Sequence, residues 1–112
     1  MKIAVTAQGT TLESFVDPRF GRCRYFLFID SGSLAVDARG NESAGAAGGA
    51  GIQAAKYVVE QGAEALITGS VGPNAAGVLR ESGIAVYRGA GTVGSVVEKL
   101  AAGKLPPAEL RA

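Results

Sequence analysis

Histidine and tryptophan are absent from the sequence, and cysteine occurs only once, as Cys23. A single cysteine excludes an internal disulfide bond. Without histidine, zinc sites, haem ligation and Ser-His-Asp catalysis all lose their commonest residue. These absences make a hydrolase a poor interpretation of the sequence.

An excess of charge of either sign is also missing, because 11 Lys and Arg residues face 10 Asp and Glu residues, for a net charge of +1. This balance gives no global attraction to nucleic acid or to an anionic membrane, so neither is an expected partner. No apolar run approaches the length of a membrane span, and Ile3–Val5 is too short for a signal peptide. We therefore expect a cytoplasmic protein in which any charge-driven function is local.

The length of 112 residues gives room for one domain, and 47% apolar residues are enough for a folded core. We predict a single domain over residues 1–105 and a short tail over residues 106–112, which begins at Pro106-Pro107 and lies outside the core. The 17 glycines amount to roughly twice the average usage, so they need positional explanations.

Apolar periodicity predicts five strands and three helices, separated by Gly-rich turns. The predicted strands are Lys2–Thr6, Tyr25–Asp30, Ser33–Ala38, Glu64–Thr68 and Ile84–Arg88, and the predicted helices are Ala50–Gln61, Asn74–Ser82 and Thr92–Ala102. Asn41–Gly49 is predicted to be a mobile loop. Strands that alternate with helices pair in parallel through right-handed crossovers. The expected fold is a single α/β domain with a mixed five-stranded sheet in which only the second strand is antiparallel.

This topology brings several loops to one end of the sheet. The four parallel strands finish there, and the reversed second strand begins there. Arg19–Arg24 should therefore lie beside the loops that follow Thr6, Arg39, Thr68 and Arg88. Ligands of open α/β sheets bind outside the carboxyl ends of the strands.

The segment Pro18–Phe28 contains Arg19, Arg22 and Arg24 and no acidic residue, and Cys23 lies among these arginines. Positive neighbours favour the thiolate, which is the form that ligates soft metals. Cys23 is therefore a candidate metal ligand. Because one thiolate cannot complete an iron-sulfur site, any cluster held here would be preassembled and bound mainly without covalent bonds.

A packed, inert Cys23 is an equally good interpretation. Cysteine is among the residue types that are most often buried. By strand parity, Cys23 shares a face with Tyr25, Leu27 and Ile29. The sequence leaves ligation and packing open.

Glycine-rich loops open two of the predicted helices, with the sequences Gly48-Gly49-Ala50-Gly51 and Gly69-Ser70-Val71-Gly72-Pro73-Asn74. Free backbone N–H groups and the positive end of the helix dipole bind anions at such positions. These glycines can also serve only tight strand-to-helix turns. Convergence of these two loops and a third, after Arg88, on an arginine cluster favours an anion site.

Patterns typical of enzymes are incomplete. Gly89–Gly94 fits G-x-G-x-x-G between a predicted strand and a predicted helix, but no further strand is predicted after it, and no G-K-[ST] phosphate loop exists. Asp17, Asp30 and Asp37 are too dispersed for a two-metal nuclease. We predict no intrinsic enzymatic activity.

Four ordered segments carry a resemblance to a known family: Phe20–Phe26, Gly48–Gln53, Ile67–Ala75 and Gly83–Tyr87. Together they resemble the dinitrogenase iron-molybdenum cofactor biosynthesis family, which includes NifX-like and NifB C-terminal-like chains, over about Met1–Gly103. The resemblance implies a ribonuclease H-like fold without nuclease carboxylates. It also implies binding of metal-sulfur clusters.

Members of this family include carriers of nitrogenase cofactor precursors and the orange proteins of sulfate-reducing bacteria, which hold a molybdenum-copper-sulfide anion non-covalently. The resemblance therefore implies carriage of a molybdenum-copper-sulfur cluster, with an iron-sulfur or iron-molybdenum cofactor precursor as the alternative. A cluster-free regulatory module that binds a protein partner is a further alternative, and a partner for cluster delivery is compatible with the first two. The predicted cluster-binding residues are Arg22, Cys23, Arg24, Gly48, Gly49, Ala50, Gly51, Gly69, Ser70, Gly72 and Asn74, with Cys23 as the metal ligand.

Overall fold

The central strand of the sheet is β1 (Lys2–Ala7), in which residues 3–7 are all buried. In the computed structural model, which describes residues 1–108 and residue 110, the sheet has five strands in the order β3-β2-β1-β4-β5. The other elements are β2 (Tyr25–Asp30), β3 (Val36–Gly40), α1 (Ala50–Glu60), β4 (Ala65–Thr68), α2 (Pro73–Ser82), β5 (Ala85–Arg88) and α3 (Val93–Ala101). Only β2 is antiparallel to its neighbours, which confirms the predicted mixed α/β sheet with three helices.

The two faces of the sheet build two separate apolar clusters. Ala4, Phe26 and Phe28 pack with α1 and α2 on one face. Ile3, Val5 and the strand residues beside them pack with α3 on the other. Because successive strand residues point to opposite faces, the apolar residues of β1 and β2 supply both clusters. No helix in the described part of the chain is long and apolar enough to cross a membrane.

The third strand begins later than predicted, at Val36 and not at Ser33. The Asp30 carboxylate accepts hydrogen bonds from the backbone N–H groups of Gly32 and Ser33 at 2.8 and 3.0 Å, which lengthens the turn. Leu34 then adopts a left-handed conformation with φ of 62°. Local side-chain hydrogen bonds of this kind compete with strand pairing.

Contrary to the prediction, the described part of the C-terminal segment packs against the core. Pro107 forms an antiparallel bridge with Tyr87, and Ala108 N–H donates to Val86 O at 2.9 Å. Without this segment, the backbone groups of β5 on this side would lack partners, because β5 is the last strand of the sheet. Ala108 and Leu110 also pack against the cluster beneath α1 and α2. Glu109, Arg111 and Ala112 of the predicted tail lie outside the described residues.

Candidate functional site

A cleft of about 260 Å³ lies at the carboxyl ends of the parallel strands, between a loop and two helix starts. The loop is Phe20–Arg22, and the helix starts are those of α1 and α2. The lining residues are Phe20, Gly21, Arg22, Gly49, Ala50, Gly51, Ile52, Gly72, Pro73, Asn74 and Ala75. Among these described residues there is no carboxylate. We refer to this feature as the cleft.

The two helices that border the cleft begin without side-chain caps. Gly49 precedes α1 with φ of 76°, and Gly72 precedes α2, with Pro73 as the first helical residue. Neither helix has an acidic residue in its first turn. The backbone N–H groups of residues 50–52 and of residues 74–75 make no hydrogen bond within the described chain. The cleft therefore has free amide donors and two positive dipole ends.

Two glycines allow the backbone segments around the cleft to approach one another. A Cβ on Gly21 would lie 2.9 Å from both N and Cα of Gly51 in α1. A Cβ on Gly69 would lie 2.5 Å from Cα of Pro18. Part of the glycine content thus has a packing reason.

Arg22 lines the cleft and is held by the loop that precedes α1. Its Nη1 donates to the carbonyl oxygens of Ala44 and Ala46, both at 2.7 Å. The side chain makes no ion pair in the described residues. Its positive charge is therefore available to an anion in the cleft.

Arg19 is compensated, contrary to the expectation that all three arginines would lack an acidic neighbour. The Asp17 carboxylate, which is fully buried, accepts hydrogen bonds from Arg19 N, Nε and Nη2 at 3.0, 3.2 and 3.2 Å. Asp17 lies one residue before the acid-free segment, so the sequence window missed it. A backbone bridge between Arg19 and Ser70 also holds the start of this loop.

Arg24 does not line the cleft. Its guanidinium lies 5.7 Å from the centre of the Tyr25 ring, a cation-π distance. Tyr25 packs against the cluster on the α3 face. The structure therefore places Arg22, but not Arg24, in the lining of the cleft.

Cys23 is fully buried in the cluster beneath α1 and α2. Burial, with a smaller contribution from the nearby Asp17 carboxylate, raises the pKa of its thiol to about 12. The expected thiolate is thus disfavoured, and the packing interpretation describes this geometry better than ligation. Cys23 also lies on the face opposite Leu27 and Ile29, because the strand begins only at Tyr25 and its alternation does not extend back to residue 23.

Asn41, which follows β3, links its own loop to the segment Gly21–Arg24, and it is not among the predicted site residues. Its Nδ2 donates to the carbonyl oxygens of Gly21 and Cys23 at 3.1 and 2.9 Å and lies 3.6 Å from Cys23 Sγ. Its backbone N–H donates to Arg24 O at 3.0 Å. An asparagine just after a strand indicates a turn, but no sequence signal identifies partners about 20 residues away.

The structure brings together most of the predicted residues, but not all. Arg22, Gly49, Ala50, Gly51, Gly72 and Asn74 line the cleft. Gly69 and Ser70 lie instead in a neighbouring hollow of about 460 Å³, beside Arg88 and Pro106. Gly48 precedes the cleft residues of α1 and is not part of the lining. No group of three or more histidine, cysteine, aspartate or glutamate residues in the described chain is arranged to hold a metal ion.

The third helix start, which was expected to join the other two, is closed. Thr92 Oγ1 accepts a hydrogen bond from Ser95 N–H at 3.3 Å. The N–H groups of Val93 and Gly94 donate to Ser14 O and Leu12 O, both at 2.8 Å. Because its amides already have partners, α3 offers no free donors to a ligand.

The chain belongs to the dinitrogenase iron-molybdenum cofactor family, whose sequence profile matches residues 1–103. It is similar to the orange protein from Desulfovibrio gigas, solved in its apo form, with 38% identity, a TM-score of 0.92 and coverage of 99% of this chain and 95% of that one. A Thermotoga protein whose name relates it to NifB has 34% identity and a TM-score of 0.81, with coverage of 95% and 91%. A Methanocaldococcus jannaschii protein of unassigned function is 29% identical over 91 residues, which are 79% of this chain and 74% of that one. Members of this family are associated with metal-cluster binding and cofactor biosynthesis.

Proposed function

We propose that this protein binds and carries a preassembled, anionic metal-sulfur cluster in the cleft, without catalysing a reaction. The observation that carries the proposal is the convergence of two uncapped helix starts and Arg22 on a lining that has no carboxylate. Helix starts bind anions through free N–H groups and the positive end of the helix dipole.

The donors available in the cleft suit a sulfide-rich anion better than a bare metal cation. Backbone N–H groups and a guanidinium donate hydrogen bonds, whereas a cation needs electron-pair donors such as thiolates or carboxylates. Cys23 is buried with its thiol protonated. The proposed binding is therefore non-covalent, and Cys23 forms part of the packed layer beneath the site.

For the identity of the cargo we propose a molybdenum-copper-sulfide cluster. Similarity to the orange protein along nearly the whole chain supports this choice. An iron-sulfur or iron-molybdenum cofactor precursor is the second candidate, supported by the family that the chain belongs to. We also propose that the fold is ribonuclease H-like, that the protein is cytoplasmic and that it delivers the cluster to a protein partner. We do not propose that it binds nucleic acid.

Binding is tested by titration of the purified protein with tetrathiomolybdate and copper(I), followed by visible absorption and amide NMR. We expect a coloured complex and shifts at Gly21–Arg22, residues 50–52 and residues 74–75. The amides of Val93–Ser95 are the internal control, because their donors are already satisfied. Shifts centred on Val93–Ser95 or on the far turn at Ser31–Leu34 would contradict the location.

Failure to take up any cluster would instead favour the regulatory module that binds a protein partner. Elemental analysis of protein isolated from its own host without chelators distinguishes the two cargo candidates. Molybdenum with copper supports the first candidate, and iron supports the second.

The electrostatic basis is tested by Arg22→Ala, Arg24→Ala and added salt. A charge pair near a protein surface at 4 Å is worth roughly 4 kcal/mol before desolvation and screening. We expect Arg22→Ala to weaken binding strongly and Arg24→Ala to weaken it less, because only Arg22 lines the cleft. Affinity that is indifferent to both substitutions and to salt would contradict electrostatic capture.

A further inference from the structure

Arg22 lines the cleft and also donates hydrogen bonds to the loop segment 44–48. This loop segment makes few other hydrogen bonds. The N–H groups of Ala44 and Ala46 donate only to Asn41 O and Ser43 O within the same loop. A Cβ added at Gly45 or Gly48 would meet nothing within 4 Å, so open space surrounds these positions. In the described chain, the two hydrogen bonds from Arg22 are the ones that tie the loop segment 44–48 to the body of the protein.

The guanidinium of Arg22 is only partly used by these bonds. Nη1 carries two N–H donors, and the carbonyls of Ala44 and Ala46 accept from it, both at 2.7 Å. The remaining N–H donors, on Nε and Nη2, have no partner among the described residues. A guanidinium presents its five donors in a fixed planar fork. One edge of the side chain is thus held by the loop while the other donors are free.

We infer that the carbonyls of Ala44 and Ala46 position Arg22 for the anion, so that the loop segment 44–48 is a working part of the binding site and is stabilised when the anion binds. This inference rests on the proposed function of the cleft. An anion that accepts hydrogen bonds from Nε and Nη2 leaves the bonds to the loop intact. It also restrains the side chain that ties the loop, so anion binding and loop order favour each other.

The coupling between loop order and anion binding is reciprocal, so it can be measured from either side. If loop order raises the affinity for the anion by some factor, the bound anion must favour loop order by the same factor. Arg22→Lys separates geometry from charge, because lysine keeps the positive charge but has no planar fork to bridge the two carbonyls and the anion. We expect it to lower affinity by about fivefold or more, a typical coupling between sites, and to leave the loop poorly ordered.

The experiment measures loop order and binding in the same samples. Backbone order parameters of residues 44–48 and amide exchange of Ala44 and Ala46 are recorded by NMR with and without tetrathiomolybdate and copper(I). In the wild type we expect order to rise and exchange to slow on binding. In Arg22→Lys we expect a more mobile loop in the free protein and a smaller change on binding. Lys99→Ala, which removes one exposed charge on α3, is the control and should match the wild type.

The outcomes separate this inference from the proposed function. Binding at the cleft with no change in residues 44–48, or wild-type affinity and loop order in Arg22→Lys, overturns the positioning role and leaves the cleft as the site. Release of the loop on binding also overturns it, because the anion would then compete with the carbonyls. Absence of any binding by the wild type overturns the proposed function and this inference together.

Discussion

At the start of α2 the N–H groups of Asn74 and Ala75 have no partners in the described chain, whereas at the start of α3 the N–H groups of Val93, Gly94 and Ser95 are all bonded. Both helices follow a parallel strand at the same end of the sheet. The difference comes from the loop after β1, whose carbonyls reach α3, and from the Thr92 cap. A helix start becomes an anion site only where the fold leaves its donors unused.

Glycine content does not distinguish the two regions. In the loop before α2, a Cβ on Gly69 would lie 2.5 Å from Pro18 Cα, and in the loop before α3, a Cβ on Gly89 would lie 2.9 Å from Ile67 Cγ2 and Val96 Cγ1. Both loops therefore need glycine for packing. What differs between them is the partner of each amide, a property that glycine counting cannot detect.

The largest expected effect is on the packing of the α2 loop. Gly69→Ala places a methyl group against Pro18 backbone atoms, which cannot move aside as a side chain does, so we expect a loss of about 1 to 3 kcal/mol in the free energy of unfolding. Urea denaturation measures the change. Gly72→Ala is the matched control, because a Cβ there meets nothing within 4 Å. Equal stability of Gly69→Ala and the wild type would contradict the close approach of this loop to Pro18.

The second prediction concerns Cys23, because a thiolate that ligated the cluster would make the free amides of α1 and α2 unnecessary for binding. Burial raises the pKa of the folded thiol to about 12, so above pH 9 only the unfolded chain readily releases this proton. The unfolded state then binds fewer protons than the native state, and stability falls as pH rises, by at most about 1.4 kcal/mol per pH unit. Urea denaturation at pH 8, 9 and 10 measures the slope.

Cys23→Ala is the control for this slope, because it removes the thiol and leaves the other alkaline titrations in place. Cys23→Ser tests ligation directly, and with the thiol buried we expect its binding to be spared wherever the protein stays folded. The buried hydroxyl should cost about 1 to 3 kcal/mol in stability. Loss of cluster binding in Cys23→Ser at normal stability would restore Cys23 as a metal ligand.

The third prediction tests the start of α3, where the backbone N–H groups already have partners. Thr92→Ala removes the cap of α3, and we expect a loss of about 1 kcal/mol in stability. It should create no anion site, because Val93 and Gly94 keep their bonds to Ser14 and Leu12. Thr92→Ser, which keeps the cap oxygen, should resemble the wild type in thermal unfolding. New amide shifts at α3 with tetrathiomolybdate and copper(I) in Thr92→Ala would show that one freed donor is enough.

The sheet and helices were predictable because their signals are local. Apolar spacing predicted α1, α2 and α3 to within two residues at each end. The start of β3 was missed because the Asp30 carboxylate caps the preceding turn, an interaction that apolar alternation does not report. This error thus comes from a polar side chain that binds backbone groups, whereas the C-terminal segment was misplaced because its backbone pairs with β5.

The candidate site was predictable in its position but not in its chemistry. Topology alone placed Arg22 beside the starts of α1 and α2. The ion pair between Arg19 and Asp17 and the burial of Cys23 depend on side-chain directions in a loop without regular structure. Periodicity cannot supply those directions, because it exists only within strands and helices.

The smallest expected effect on stability gives α2 the cap that α3 already has. Gly72 occupies the position before α2 with extended φ and ψ of −70° and 165°, close to the −79° and 152° of Thr92. In Gly72→Ser the new hydroxyl can accept from Ala75 N–H, as Thr92 does from Ser95, and should raise stability by only a few tenths of a kcal/mol. The same bond removes a donor from the cleft, so cluster affinity should fall.

Gly72→Asp should lower affinity further, because it adds negative charge to the cleft. Gly72→Ala controls for the added Cβ and should bind as the wild type does, and equal binding by all three variants would show that the free amides of α2 do not contact the cluster.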